Sequence, residues 1–432
     1  MAALSQVRKL RDDMEIVAFE RGRYTSYSAC GIPYLVGGEV ESIESLIART
    51  PQEFRDRLRV DVRTRHEVTA IDLDDRAVEV RALDQDRTLR MGFDQLLIAT
   101  GGNPVRPDLP GIDNPHVHGV QTLGDAERLL AEVTGGDVRE IVVVGGGYIG
   151  LEMAEAFVRR GAHVTLLEAS TQIMATLDPD MAELVLAALR RFGVDVRLQE
   201  GAKSFEDGQV QTEAGVVPAD LVVLGLGVQP NSALARDAGL TLGVRDSIRV
   251  DRRQQTSASG VWSAGDCCES NHLVSGRPIH VALGTVANKQ SRVAGINIGG
   301  GYATFGGVVG TAITKICNVE VARTGLSERE ATEAGFLFQS TVIEASTRAR
   351  YLADAPLATV KLLAEQGTGR LLGGQIVGEE GAGKRIDVLA TALTAGMTVR
   401  AMIDLDLGYA PPFSPVWDPV LVAARVAAGA AV

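Results

Sequence analysis

Glu140-Ile-Val-Val-Val-Gly-Gly-Gly-Tyr-Ile-Gly150 is an apolar run that breaks into glycines, and it is followed by a helical stretch to Arg160 and then by Ala162-His-Val-Thr-Leu-Leu-Glu168. The order reads strand, glycine loop, helix, strand. Gly145, Gly147 and Gly150 fit G-x-G-x-x-G. The first permits the tight turn, the second lets backbone approach a pyrophosphate, and the third lets the helix pack close on the strand. A phosphate would rest on the helix N-terminus, where unpaired N–H groups point outward. Glu168 closes the second strand at the spacing where a carboxylate accepts hydrogen bonds from an adenosine ribose. No Arg or Lys follows it through Thr176. A ribose 2′-phosphate would therefore meet negative charge and no partner, which predicts NADH over NADPH.

Working outward, a second and more degenerate copy of this unit lies upstream. Glu15-Ile-Val-Ala-Phe-Glu20 parallels His163 to Glu168, and Leu96-Leu-Ile-Ala-Thr-Gly-Gly-Asn-Pro104 parallels Leu221 to Pro230. Internal duplication of a nucleotide-binding fold accounts for both. The first copy is longer between its acid and its proline, which leaves room for the segment around Cys30. It lacks an opening strand and glycine loop, because Met1-Ala-Ala-Leu already reads as the first turn of the following helix. The expectation is that about ten to fifteen residues of strand and loop are missing from this unit, leaving the first phosphate cradle incomplete.

Further along, Gly260-Val-Trp-Ser-Ala-Gly-Asp266 reads as a short apolar strand ending in Gly-Asp, a place where an Asp binds a sugar-alcohol hydroxyl. From Gly306 the pattern changes. Gly310 to Lys315, Ala358 to Leu363 and Leu371 to Val377 read as strands, and Gly383 to Gly396 as a helix, which makes a separate α+β unit. The last 25 residues, with Tyr409-Ala-Pro-Pro-Phe-Ser-Pro415, read as too proline-rich for regular structure and as a rigid tail docked onto something.

Composition excludes several classes. The chain of 432 residues suits two or three domains. Its net charge of −12 and the absence of a Lys/Arg run argue against a nucleic-acid partner. No apolar run reaches the roughly 18 to 20 residues needed to span a membrane, and no signal-peptide core opens the chain. Four scattered cysteines (Cys30, Cys267, Cys268, Cys317) favour a reducing compartment, so a cytoplasmic protein is expected. Zinc-type CxxC pairs, HxxxH spacing and a GxSxG elbow are absent, so no metal or hydrolase site is expected.

Chemistry concentrates in Ser26-Tyr-Ser-Ala-Cys30-Gly-Ile-Pro-Tyr34. Gly31 and Pro33 after the cysteine suit a helix start, where the N-terminal field lowers a thiol's pKa. Thiolate is the form that attacks disulfides. An isolated cysteine is more often a small buried hydrophobe.

The order of Cys30-Gly-Ile-Pro-Tyr, Ala-Thr-Gly-Gly (99 to 102), the Gly145 loop, Ala-Gly-Asp266 and Tyr-Ala-Pro-Pro-Phe-Ser resembles the single-cysteine branch of the pyridine-nucleotide disulfide oxidoreductases, coenzyme A disulfide reductases and NADH oxidases above all. The resemblance implies an α/β architecture with two Rossmann-like domains, an FAD domain (1–112 and 236–305) and an inserted NAD(P)H domain (113–235), followed by an α+β dimerisation domain (306–432) and a homodimer. It implies that Glu20 holds the FAD ribose, Thr100 and Gly101 lie beside the flavin nucleotide, and Asp266 binds the ribitol chain. Cys30 would be the redox-active nucleophile against the flavin. Dithiol relatives carry a second Cys five residues earlier, where this chain has Thr25, so the oxidised form would be a mixed disulfide or a sulfenic acid.

No histidine follows His280, and the resemblance points instead to Tyr351 and Tyr409 as proton donors reaching the partner subunit's site, with interface packing as the other reading. Gln6, Arg8, Lys9 and Ser26 stand where relatives contact coenzyme A, although the helix charges could equally form a solvated face. Leu58 and Trp417 replace lysines of some coenzyme A reductases, and Arg57 and Arg59 are the neighbouring candidates to compensate. The expected activity is NADH-dependent reduction of a low-molecular-weight disulfide, coenzyme A disulfide first. The alternatives are O₂, peroxide or polysulfide as acceptor, and a non-catalytic NADH-binding remnant.

Overall fold

The computed structural model describes residues 1–430. The chain opens with α1 (Ala2–Leu10), β1 (Val17–Glu20), a short 3₁₀ turn (Ala29–Gly31) that runs into α2 (Ile32–Gly37), and β2 (Asp61–Thr64). An antiparallel three-stranded meander over residues 66–92 precedes β3 (Leu96–Ile98). The pattern then repeats: β4 (Val117–Gly119), α3 (Leu123–Gly135), β5 (Glu140–Val144), α4 (Tyr148–Arg159), β6 (His163–Glu168), α5 (Pro179–Phe192) and β7 (Asp195–Leu198). A second meander over residues 202–218 and β8 (Leu221–Leu224) follow. The chain returns to the first unit with β9 (Val261–Ser263) and α6 (Gly284–Ile298).

In the second unit β7, β6, β5, β8 and β4 form one parallel sheet in that order, with Val142 paired to Thr165 on one side and Val222 on the other. Ile141 to Val144 and Leu221 to Leu224 are buried throughout, as strands covered on both faces require. The first unit follows the same plan with one place unfilled. β1 pairs with β2 and β3 with β9, both in parallel, and among the described residues no strand joins the two pairs where β5 lies in the second unit. α1 packs on α6, where a Cβ on Gly295 would meet the Ala3 carbonyl oxygen at 2.5 Å.

The third unit is an antiparallel sheet of β10 (Ala312–Ile316), β11 (Val319–Gly325), β12 (Phe338–Ser346), β13 (Leu357–Glu365) and β14 (Leu371–Gly378) in the order β10-β11-β14-β13-β12, with α7 (Glu328–Ala334), α8 (Ile386–Thr394) and α9 (Pro419–Ala430). β11 and β12 have no counterpart in the strands read from the sequence. The tail also differs from expectation, since its last turns are helical. Pro419 occupies the first helical position, where its missing N–H is harmless. The Asp418 carboxylate accepts the Val420 N–H at 2.9 Å as a cap. Val420, Ala423, Ala424 and Ala427 then bury one face of α9 in the core of this unit.

Candidate functional site

The glycine loop after β5 has the geometry its sequence demands. Gly145 has φ +105°, and a Cβ on Gly150 would lie 1.9 Å from the Gly145 carbonyl oxygen, so neither position accepts a side chain. Gly147 precedes α4 with no side-chain cap, leaving the helix N–H groups free for an anion. Glu168 turns back onto the loop: Oε2 accepts the Gly146 N–H at 2.8 Å and Oε1 accepts the Ser170 N–H at 2.8 Å. Among the described residues no cation pairs with Glu168.

Glu20 ends β1, its Oε1 accepting the Gly22 N–H at 2.6 Å, and lines a cleft of about 840 Å³ together with Arg23, Tyr24, Asn103 and Thr122. The start of α1 lies beside it, since Glu20 acts on the Met1 ammonium, whose pKa burial pushes down. The Thr100 hydroxyl donates to the Asn231 carbonyl at 2.5 Å, and the Gly101 carbonyl accepts the Asn231 N–H at 2.9 Å. The equivalent turns of the two repeats thus dock on each other. Asp266 is half-buried, and burial raises its carboxyl above the ordinary range. Its carboxylate has no protein hydrogen-bond partner among the described residues, which suits a hydroxyl-bearing ligand. These features fit the two ends of an FAD nucleotide.

Cys30 sits in the 3₁₀ turn that leads into α2 and is the exposed cysteine; Cys267, Cys268 and Cys317 are buried, and all four thiols are free. Leu46 packs close behind it, where a Cβ on Gly31 would overlap the end of the leucine side chain at 2.2 Å and displace it. Thr25 is buried, its hydroxyl 3.4 Å from the Arg49 carbonyl. The expected lowering of the thiol's pKa is corrected by the structure. Although the residue is exposed overall, desolvation in its crowded turn raises the thiol, the Glu152 carboxylate raises it further, and the backbone N–H offsets only part of this.

Glu152, on α4 two residues past Gly150, is half-buried and accepts a hydrogen bond from the Thr314 hydroxyl of β10 at 2.5 Å. Nothing in the sequence marked either residue. The expected outcome of Glu152→Gln is a Cys30 alkylation profile displaced toward acid, as removal of one nearby negative charge entails. Iodoacetamide rates against pH measure it, with the other thiols sheltered; an unmoved profile would remove Glu152 from the control of Cys30.

The remaining expected residues divide. Lys9 is exposed and unpaired among the described residues, Gln6 is half-exposed on α1, and the Ser26 hydroxyl is unbonded while its carbonyl accepts the Ala48 N–H. Arg8 is neither a free face nor a free ligand. Its guanidinium donates to the carbonyls of Leu58, Arg11, Asp12, Met14 and Arg59. Leu58 packs with Phe54 and Val60, and Trp417 lies under Arg425 at 4.4 Å. Arg57 pairs with Glu53 and Arg59 with Asp12, so both are engaged on their own surface. Tyr351 (74% exposed) and Tyr409 (51% exposed) lie near each other on the third unit, their loops tied by the Ala349 N–H and the Pro411 carbonyl at 3.0 Å. Phe413 and Val416 are exposed beside them in sequence. Among the described residues no His/Cys/Asp/Glu group is placed to hold a metal ion, and no helix is long and apolar enough to cross a membrane.

Comparison with known proteins shows the family of the chain. The chain matches the pyridine nucleotide-disulphide oxidoreductase family over residues 1–291 and that family's dimerisation domain over residues 311–419. It is 36% identical to the NAD(P)H sulfur oxidoreductase (CoA-dependent) of Pyrococcus furiosus, covering 99% of this chain and 96% of that one. It is 27% identical to the coenzyme A disulfide reductase of Staphylococcus aureus, covering 95% and 93%. The solved structure of an NAD-dependent persulfide reductase from A. fulgidus superposes with a TM-score of 0.95 at 37% identity, covering 99% of this chain and 81% of that one.

Proposed function

The chain belongs to the pyridine nucleotide-disulphide oxidoreductase family, and from that premise we propose that it is an FAD- and NADH-dependent homodimeric enzyme that reduces a low-molecular-weight disulfide, coenzyme A disulfide first, through Cys30. The observation that carries this reading is a single exposed thiol at a helix start, with a buried threonine where a second cysteine would close an internal disulfide.

Gly145, Gly147 and Gly150 would hold the NADH pyrophosphate on α4, with Glu168 at the ribose. Glu20, Thr100, Gly101 and Asp266 would hold FAD, assigned to residues 1–112 and 236–305, around the NAD(P)H-binding residues 113–235; residues 306–432 carry the dimer contact. When bound, FAD supplies the transfer of two electrons from nicotinamide to sulfur. Cys30 thiolate attacks one sulfur of the substrate, releasing one thiolate and forming a mixed disulfide. Two electrons then break that bond to give Cys30 thiolate and the second thiol, so each NADH and one proton convert one disulfide into two thiols. Tyr351 and Tyr409, brought from the partner subunit, would donate a proton to the leaving thiolate. Gln6, Lys9 and Ser26 would line the path of the substrate's nucleotide portion. The free thiols support a cytoplasmic location.

Sulfur-reducing relatives support a second reading in which a persulfide or polysulfide takes the place of the disulfide at the same thiol. The test follows NADH absorbance anaerobically with coenzyme A disulfide, then polysulfide, as acceptor. The expected result is a flavin spectrum and disulfide-dependent NADH loss with two thiols formed per NADH; oxidation only when O₂ is admitted would defeat the reading.

A further inference from the structure

Behind Asp266 lies a polar layer that the proposed chemistry does not use. Gln290, on α6, is 1% exposed. Its Oε1 accepts the Gly265 N–H at 2.9 Å, and its Nε2 donates to the Ser270 hydroxyl at 2.8 Å and to the Glu269 carbonyl at 3.3 Å. A buried amide is tolerated when both its ends are bonded, and here both ends are given to the strand-to-loop turn that carries Asp266. On the other side of the same turn, His280 donates its Nε2–H to the Asp266 carbonyl at 2.7 Å; the carbonyl can only accept, which fixes the tautomer.

Between these two bonds, Gly265 has φ +92°, a backbone state that glycine reaches without strain but does not by itself enforce. The direction of the next side chain is therefore set by what grips the backbone. Gln290 grips the N–H before Asp266, and His280 grips the carbonyl after it. The carboxylate between them is left without a protein partner.

We propose that Gln290 and His280 are positioning residues that clamp the Gly265–Asp266 turn, so that the free Asp266 carboxylate meets a hydroxyl of the flavin's sugar-alcohol chain in a fixed orientation. The inference rests on the reading of Asp266 as a flavin ligand. Neither residue touches the cofactor in this assignment, and each acts through Asp266.

Equilibrium FAD titration of the stripped 432-residue protein, read by flavin fluorescence, tests it. Asp266→Ala should weaken FAD about tenfold to hundredfold, the loss expected for a hydrogen bond to a charged group. Gln290→Met and His280→Phe should each weaken FAD about tenfold in the parent chain and cause no further loss in the Asp266→Ala background. His280→Gln, which keeps a side-chain N–H donor, should bind FAD nearly as the parent does. NADH titration and thermal melting of each variant show that the fold persists; if Gln290→Met does not fold, the His280 pair decides. Equal losses in both backgrounds, or no loss from either clamp residue, would overturn the clamp while leaving Asp266 as a ligand. An Asp266→Ala protein that binds FAD as tightly as the parent, or a parent that takes up none, would overturn the reading of Asp266 and the clamp with it.

Discussion

A Cys30→Ser enzyme is expected to lose disulfide reduction by at least about 10³-fold, the order seen when a covalent nucleophile is removed from a catalytic unit, while NADH continues to reduce the bound flavin. The asymmetry follows from where the parts lie. The glycine loop at Gly145 and the carboxylate of Glu168 belong to the second parallel sheet, and neither is bonded to the Cys30 turn. Removing the sulfur would leave the proposed NADH site and Asp266 intact but remove the atom proposed to form the mixed disulfide. A serine hydroxyl at neutral pH does not displace a thiolate from a disulfide, and no buried thiol substitutes, because Cys267, Cys268 and Cys317 lie inside the protein. Stopped-flow anaerobic mixing separates the two half-reactions. Flavin bleaching by NADH at the parent's rate with no reoxidation by disulfide is the expected pattern. Full turnover in the variant would place disulfide chemistry elsewhere.

The part of the site that was legible in the sequence is the part whose constraints are local. Gly145 and Gly150 could be read because a positive φ and a 1.9 Å approach are demands of one turn on its own residues. Cys30 could be located for the same reason, since it precedes a short helix that Pro33 helps to start. Its reactivity could not be read. The thiol is raised first by desolvation in its turn and then by the charge of Glu152, on the helix after the second repeat's glycine loop, with Asp266 adding to it, and Glu152 is held by Thr314 from a third unit. The helix start is local in sequence, whereas the carboxylates facing the thiol, Glu152 and Asp266, lie more than a hundred residues away.

Arg8 shows the same limit in another form. Its helical spacing allows a solvated face, yet the chain between Arg11 and Met14 and the turn at Leu58 bring five carbonyls around one guanidinium. The tail shows the opposite error, in which local information was present but read with the wrong sign. Prolines at 411, 412 and 415 do interrupt structure, whereas Asp418-Pro419 is a cap followed by a first helical residue. The unfilled strand place in the first unit was legible because the second repeat supplies its own template for comparison.

Lys361→Met is expected to cost about 3–5 kcal/mol of stability, the consequence of leaving the buried Asp178 carboxylate without its cation. Lys361 is 3% exposed on β13, and its ammonium reaches Asp180 at 2.8 Å, Glu328 at 2.9 Å and Asp178 at 3.2 Å. Asp178 is 2% exposed, accepts the Glu328 N–H at 2.9 Å and the Gln375 amide at 2.8 Å, and precedes α5 in the second unit. One lysine therefore bridges the joint between the second unit and the antiparallel sheet. Burial alone would lower its pKa, but the hydrogen bonds it donates to Asp180 and Glu328 outweigh that and raise it above its ordinary 10.5. Because the folded value is the higher one, this contribution is complete below the ordinary lysine range and fades only as pH rises through the folded value. The stability gap between parent and variant, measured by urea denaturation, should thus be constant through neutral pH and close in strong alkali. A Lys361→Met/Asp178→Asn double variant should recover part of the loss, since it removes a stranded charge together with its partner. The effect should extend to NADH: Met174, in the segment between Glu168 and Asp178, donates its N–H to the Gly146 carbonyl at 2.8 Å, so loosening Asp178 loosens one wall of the glycine loop. Weaker NADH binding with an unchanged Cys30 alkylation rate is the joint signature, and a variant as stable as the parent would show that the cluster carries no net load.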